Sequence, residues 1–160
     1  MNYLQVFLNS IKLPKKEAMF RLNRVGMDVA IIYMFILLAI VCIPEFIERL
    51  NATTGFGSEL NFIFKFIYFF MFYYLPLTII AIISLSLVAY IGRGIAYLMQ
   101  RKLRFPILWK MSAFSTTIPF LLFTIIAFII GVNDTYLLFA FIYTIGLLIK
   151  MISIYPKRRM

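Results

Sequence analysis

Residues 29–44 read Val-Ala-Ile-Ile-Tyr-Met-Phe-Ile-Leu-Leu-Ala-Ile-Val-Cys-Ile-Pro, an uncharged run bounded by Asp28 and Glu45. A helix needs about 20 residues to cross the ~30 Å hydrocarbon core of a bilayer. A span over about residues 26–46, from Gly26 to Phe46, therefore places the two carboxylates near opposite interfaces. Asp28 falls in the first turn of that helix, where the macrodipole favours an anion. The whole chain agrees with this reading: 64% of its 160 residues are hydrophobic and 14% charged. Soluble domains average roughly 45–50% and 25%. A bilayer removes the need to hide so much apolar surface, because lipid solvates the outer face of each helix.

Toward the C-terminus the pattern repeats. A second span lies within about 62–91; Lys65 near its start can snorkel to water, and Pro76 interrupts the apolar run and is expected to kink it. Ala89, Gly92 and Ala96 form a small-residue stripe suited to close helix approach. A third span is expected over about 112–131. Its Ser112, Ser115, Thr116 and Pro119 fall at i, i+3, i+4, i+7 and so share one face as an internal polar seam. Such hydroxyls bond to a carbonyl of their own helix or to a neighbour, so the seam reads as a packed kink or as the lining of a water path. Gly131-Val132-Asn133-Asp134 is a compact turn, with Asp134 at the N-cap position of a fourth span over about 135–155. Lys150 can snorkel at the far end of that span. Between the first two spans, residues 47–61 carry Gly55 and Gly57 and read as an irregular loop. That loop holds a glycosylation sequon, Asn51-Ala52-Thr53, which matters only in a eukaryotic secretory pathway.

Ahead of the first span, Leu4, Phe7, Leu8 and Ile11 keep helical spacing over residues 2–12, too short to span. Pro14 ends the segment, and Lys15, Lys16, Arg21 and Arg24 follow. An apolar stripe beside basic residues suits a helix lying in the headgroup plane; the alternative is packing on the protein's own helix ends. The pattern is not that of a cleavable signal peptide, which would need a long apolar core before small cleavage-site residues. The expected fold is an all-α integral membrane protein, one domain over residues 1–160, with four transmembrane helices and an N-terminal amphipathic interfacial helix.

Charge orients this arrangement. There are 16 Lys and Arg against 6 Asp and Glu, a net charge of +10. The basic residues cluster at the N-terminus, over 93–110, and at Lys157-Arg158-Arg159, all on one side of a four-span chain. The positive-inside rule puts that side, and both termini, in the cytosol. Nucleic acid is a poor partner for clusters that adjoin apolar runs; anionic phospholipid headgroups suit them better. Lys15, Lys16, Arg21, Arg101, Lys102, Arg104 and Trp109 are the expected interface with lipid or with another membrane protein, self-association included.

Reactive chemistry is sparse. The chain has no histidine, and Cys42 is its one cysteine. That removes the commonest general base and metal ligand, and any internal disulfide. No catalytic residue, cofactor or metal is expected. Asp28 and Glu45 are the best candidates for a membrane enzyme, but both sit at helix ends. A complete secondary transporter would bring more spans and internal repeats. The expected role is a non-catalytic accessory or scaffold subunit. The alternative is a component of a small-solute transporter or oligomeric channel, with a polar path through Ser112, Ser115, Thr116 and Thr144.

Two segments carry a family resemblance: residues 10–21, with Pro14-Lys15, and residues 99–119, with Gln100-Arg101-Lys102-Leu103, Leu108 to Ser115 and Pro119. They resemble a family of bacterial multi-span membrane proteins of unknown function, mainly from Firmicutes, sometimes labelled maltodextrin utilisation proteins. That family is distantly similar to Yip-type membrane proteins, which act through membrane partners. The resemblance implies a membrane scaffold whose large extracytoplasmic domain, between spans one and two, is here replaced by a short loop.

Overall fold

The structure, a computed structural model, describes residues 2–51, 60–130 and 135–156. Ala52 and Thr53 of the sequon, the glycines Gly55 and Gly57, the turn Gly131–Asp134, and the basic tail Lys157–Arg159 lie outside the described residues.

The chain opens with a helical hairpin. α1 runs Tyr3–Ile11 and α2 runs Lys16–Asn23. The α1 stripe expected over 2–12 faces outward, with Leu4 and Leu8 exposed, while Val6, Asn9 and Ser10 bury the other face. The second helix is a departure from the sequence pattern, in which residues 15–24 read only as a basic segment after Pro14. Glu17 in its first turn and Arg21 in its last complement the helix dipole, and Ala18, Met19 and Leu22 form its buried face.

Next, α3 (Met27–Val41) and α4 (Ile43–Asn51) join through Cys42 into an apolar rod of 25 residues, longer than the expected 26–46. The break falls where Pro44 cannot donate to the Ile40 carbonyl, and Pro44 itself occupies the first turn of α4, where that donor is dispensable. α5 (Phe62–Phe69), a π-helical turn over Phe70–Tyr74 and α6 (Leu75–Leu98) form a second rod of 37 residues. Asn61 caps it, its side chain accepting from the Phe64 N–H at 3.1 Å. The π turn, in which the Leu75 N–H reaches back to the Phe70 carbonyl, sits directly before Pro76. The wider turn accommodates the ring and the missing donor where the sequence predicts only a kink.

The third rod begins earlier than the expected residue 112. α7 (Phe105–Ser115) and α8 (Thr117–Ile130) meet at Thr116, and the apolar stretch covers Phe105–Ile129, 25 residues. These three rods are long and apolar enough to cross a membrane. α9 (Thr135–Ile154) closes the described chain, and its Leu138–Ile154 is a shorter apolar helix.

α7 is the axis of the molecule. Every residue from Leu108 to Ser115 is buried, because α1, α2, α3, α6, α8 and α9 all pack on α7. Ala89, Gly92 and Ala96 are buried where α6 meets α7 and α9. A Cβ on Gly92 would lie 2.7 Å from Cδ2 of Leu148, so only a glycine admits the α9 leucine at this distance. The α6–α7 turn closes with Gln100 in the left-handed region, φ 55°; the Arg101 N–H bonds the Ala96 carbonyl at 2.8 Å and the Gln100 N–H that of Tyr97 at 3.0 Å. This is the usual reverse turn at a helix C-terminus, with glutamine where glycine is commonest.

Candidate functional site: the polar seam and the basic end

Four hydroxyls line up along the α7–α8 junction, all buried: Ser112, Ser115, Thr116 and Thr117. Each donates to a carbonyl three residues back: Ser112 to Trp109 (2.8 Å), Ser115 to Ser112 (2.8 Å), Thr116 to Ala113 (2.7 Å) and Thr117 to Phe114 (2.8 Å). Pro119 leaves the Ser115 carbonyl without its i+4 donor, and the helix breaks at Thr116 beside it. The seam is therefore the inside of an articulated, tightly packed axis. It is not a stripe facing one neighbour, because α7 is covered on all sides.

One seam group reaches across helices. The Tyr33 hydroxyl of α3 meets the Thr117 hydroxyl at 2.7 Å, and the Tyr33 ring packs edge-on against Phe114 with centroids 5.6 Å apart. Tyr74 of the π turn donates to the Phe35 carbonyl at 2.9 Å. Thr144 of α9, expected in a polar path with Ser112, Ser115 and Thr116, instead donates within its own helix, to Ala140 at 2.8 Å.

Among the described residues, most of the basic side chains gather at one end. The Lys110 ammonium, 8% exposed, donates to the main-chain carbonyls of Asn23 (2.9 Å) and Val25 (2.6 Å) just past α2. A cation suits the electronegative end of a helix, and this one fastens the N-terminal hairpin to the axis. Arg101 donates to the Tyr155 carbonyl at the end of α9, while Phe20 of α2 meets the Tyr155 ring edge-on at 5.6 Å. The Tyr155 hydroxyl and the Arg101 Nε are buried without a hydrogen-bond partner. Thus α2, the α6–α7 turn and the end of α9 share one end of the bundle. The opposite end holds the Glu45–Arg49 ion pair (2.7 Å), Arg49 over the Tyr73 ring (5.0 Å), and Lys65 on the Leu50 carbonyl (3.2 Å).

Two of the expected interface residues are placed differently. Trp109, expected among the headgroups, is 4% exposed, and its indole N–H donates to the Ser86 hydroxyl at 3.1 Å inside the bundle. The reason is the early start of α7, which carries Trp109 into the axis instead of leaving it in a loop. Arg101 is half-buried and engaged with α9 rather than displayed. Lys102, Arg104, Lys15, Lys16 and Arg21 are exposed.

Lys110 and Tyr33 were missed as tethering groups. A signal existed for Tyr33, since a hydroxyl mid-span needs a partner. Lys110 looked like one more cation in a basic loop. Among the described residues, no group of His, Cys, Asp and Glu could hold a metal ion.

A family model described as a protein of unknown function, DUF1189, matches residues 49–152. No curated protein matches the chain, and no solved structure does.

Proposed function

The chain belongs to the DUF1189 family of proteins of unknown function, and from that footing we propose that it is a non-catalytic accessory or scaffold subunit of a bacterial plasma-membrane complex. In this reading α9, 20 residues long, is the fourth span beside the three longer rods. The basic end then faces the cytosol, in keeping with the positive-inside rule. The α1–α2 hairpin lies at the cytosolic interface, its outward Leu4 and Leu8 toward acyl chains and its lysines and arginines toward headgroups.

The observation that carries the proposal is the state of the interior hydroxyls. Ser112, Ser115, Thr116 and Thr117 each donate to their own helix and are packed on every side. An interior built this way favours a rigid support over a passage. Exposed Lys102 and Arg104, beside the left-handed Gln100, give the surface on which a cytosolic or membrane partner would dock. The likeness of the resembling family to Yip-type proteins, which act through membrane partners, suits a protein that acts through others.

Crosslinking in native membranes, followed by affinity capture and mass spectrometry, tests this. A stoichiometric partner that is lost on K102E/R104E is the expected result. A solitary chain, or only copies of itself, overturns the subunit reading.

One feature favours a second reading, a transporter or channel component: both the second and third rods are discontinuous, at Phe70–Tyr74 and at Thr116. Broken helices are a habit of transport proteins. Solute flux in proteoliposomes that disappears on T116L would support it.

A further inference from the structure

Lys16, Glu17, Phe20 and Arg21 of α2, with Arg24 just past its end, bound an open cavity of about 480 Å³. Glu17, Phe20, Arg21 and Arg24 fall at i, i+3, i+4, i+7, so one helix face supplies the lining. The opposite face, Ala18, Met19 and Leu22, is buried in the bundle, which fixes the orientation of the lining face. Phe20, half-buried with its ring edge-on to Tyr155, is the apolar member of the lining.

This corner is short of acceptors. Among the described residues the ion pair Arg49–Glu45 stands alone, and it lies at the other end of the molecule. Among the described residues, Glu17 and Asp28 are the acids on the side of the basic end. Against them stand exposed Lys15, Lys16, Arg21 and Arg24. Just behind Phe20, the Arg101 Nε and the Tyr155 hydroxyl are also without partners.

We propose that this cavity is a headgroup site for an anionic phospholipid, with the phosphate held between Arg21 and Arg24 and the glycerol carbons against Phe20. Guanidinium forks match phosphate oxygens bidentately, and the two arginines share a face one turn apart. The site is distinct from diffuse attraction to a negative membrane surface, which would depend on total charge and not on which cations remain. It deepens the membrane-scaffold reading and rests on α2 lying at the cytosolic interface.

The test uses the full chain purified in detergent and native mass spectrometry with phosphatidylglycerol and phosphatidylcholine of equal chain length. The wild type is expected to prefer phosphatidylglycerol by about tenfold or more, the scale of one charge-assisted hydrogen bond. R21Q/R24Q should abolish that preference, while the charge-matched R93Q/K150Q, at exposed positions away from the cavity, should keep it. R21K/R24K keeps the charge and loses the forks, so it should also weaken the preference. Equal losses from R21Q/R24Q and R93Q/K150Q, or no preference between the lipids, overturn the site. So does displacement of bound phosphatidylglycerol by millimolar inorganic phosphate, which would assign the cavity to the free anion. Size-exclusion elution and helical content confirm that each variant is folded before binding is read. A chain that keeps the lipid yet captures no partner would refute the subunit role and leave this site standing.

Discussion

The Tyr33 hydroxyl lies 2.7 Å from the Thr117 hydroxyl, joining the first rod to the articulation of the third. Thr117 also donates to the Phe114 carbonyl, which leaves Tyr33 as donor to Thr117. Interhelical hydrogen bonds of this kind average roughly 0.6 kcal/mol in membrane proteins and reach about 1.7. Y33F and T117V should each lower the melting temperature in detergent, and the double variant should lose less than the sum. Strict additivity would mean that the two hydroxyls do not share a proton.

Lys110 predicts a local effect. Replacing it by methionine keeps most of the buried volume and removes both bonds to Asn23 and Val25. Leaving buried carbonyls without donors costs roughly 1–3 kcal/mol each. Hydrogen exchange in K110M should therefore accelerate over residues 2–25 while α7 and α9 stay protected. Uniform acceleration would show that the hairpin is held by other contacts.

Gly92 sets two opposing magnitudes against each other. Alanine in a helix interior gains about 0.8–1 kcal/mol over glycine. The new Cβ would meet Cδ2 of Leu148, a side chain only 1% exposed, and overpacking costs about 1–3 kcal/mol. G92A should thus destabilise the wild type, yet stabilise an L148A background where the obstruction is gone. The same sign of effect in both backgrounds would refute the contact.

Gln100 offers the reverse case. Its φ of 55° is costly for a side chain and free for glycine. Q100G should stabilise the chain by up to about 1 kcal/mol in thermal melts. If the K102E/R104E surface docks a partner, Q100G should also alter capture of that partner by freeing the backbone of the turn.

Much of the architecture was legible because apolar runs and charge clusters act through the solvent, and solvent acts on every residue alike. The uncharged run from Val29 to Pro44 marked the first rod without reference to any other segment. What escaped were relations that depend on a neighbour. α2 was invisible because its basic face masks the three residues it buries, Ala18, Met19 and Leu22. Trp109 was placed among headgroups by its residue type, whereas the helix start at Phe105 decides its depth. The small residues of α6 and the seam residues stand out in the sequence because small and hydroxyl side chains interrupt an apolar span. Their partners, Leu148 and Tyr33, were set by a packing that spacing along one helix does not encode.

The π turn over Phe70–Tyr74 governs rotational phase. Tyr74, Thr78, Leu85, Gly92 and Ala96 return to the bundle side at helical intervals, whereas the step back from Tyr74 to Phe69 is five residues. One extra residue in a turn rotates everything before it by about 100° around the axis. Phe69 thereby meets Phe46, ring centroids 4.9 Å apart, instead of pointing away from the first rod. The α5 segment and α6 are thus two keys cut at different angles on one shaft, and the bulge is the offset between them. Removing a single residue from the turn would leave every helix intact and unlock one end of the molecule from the other.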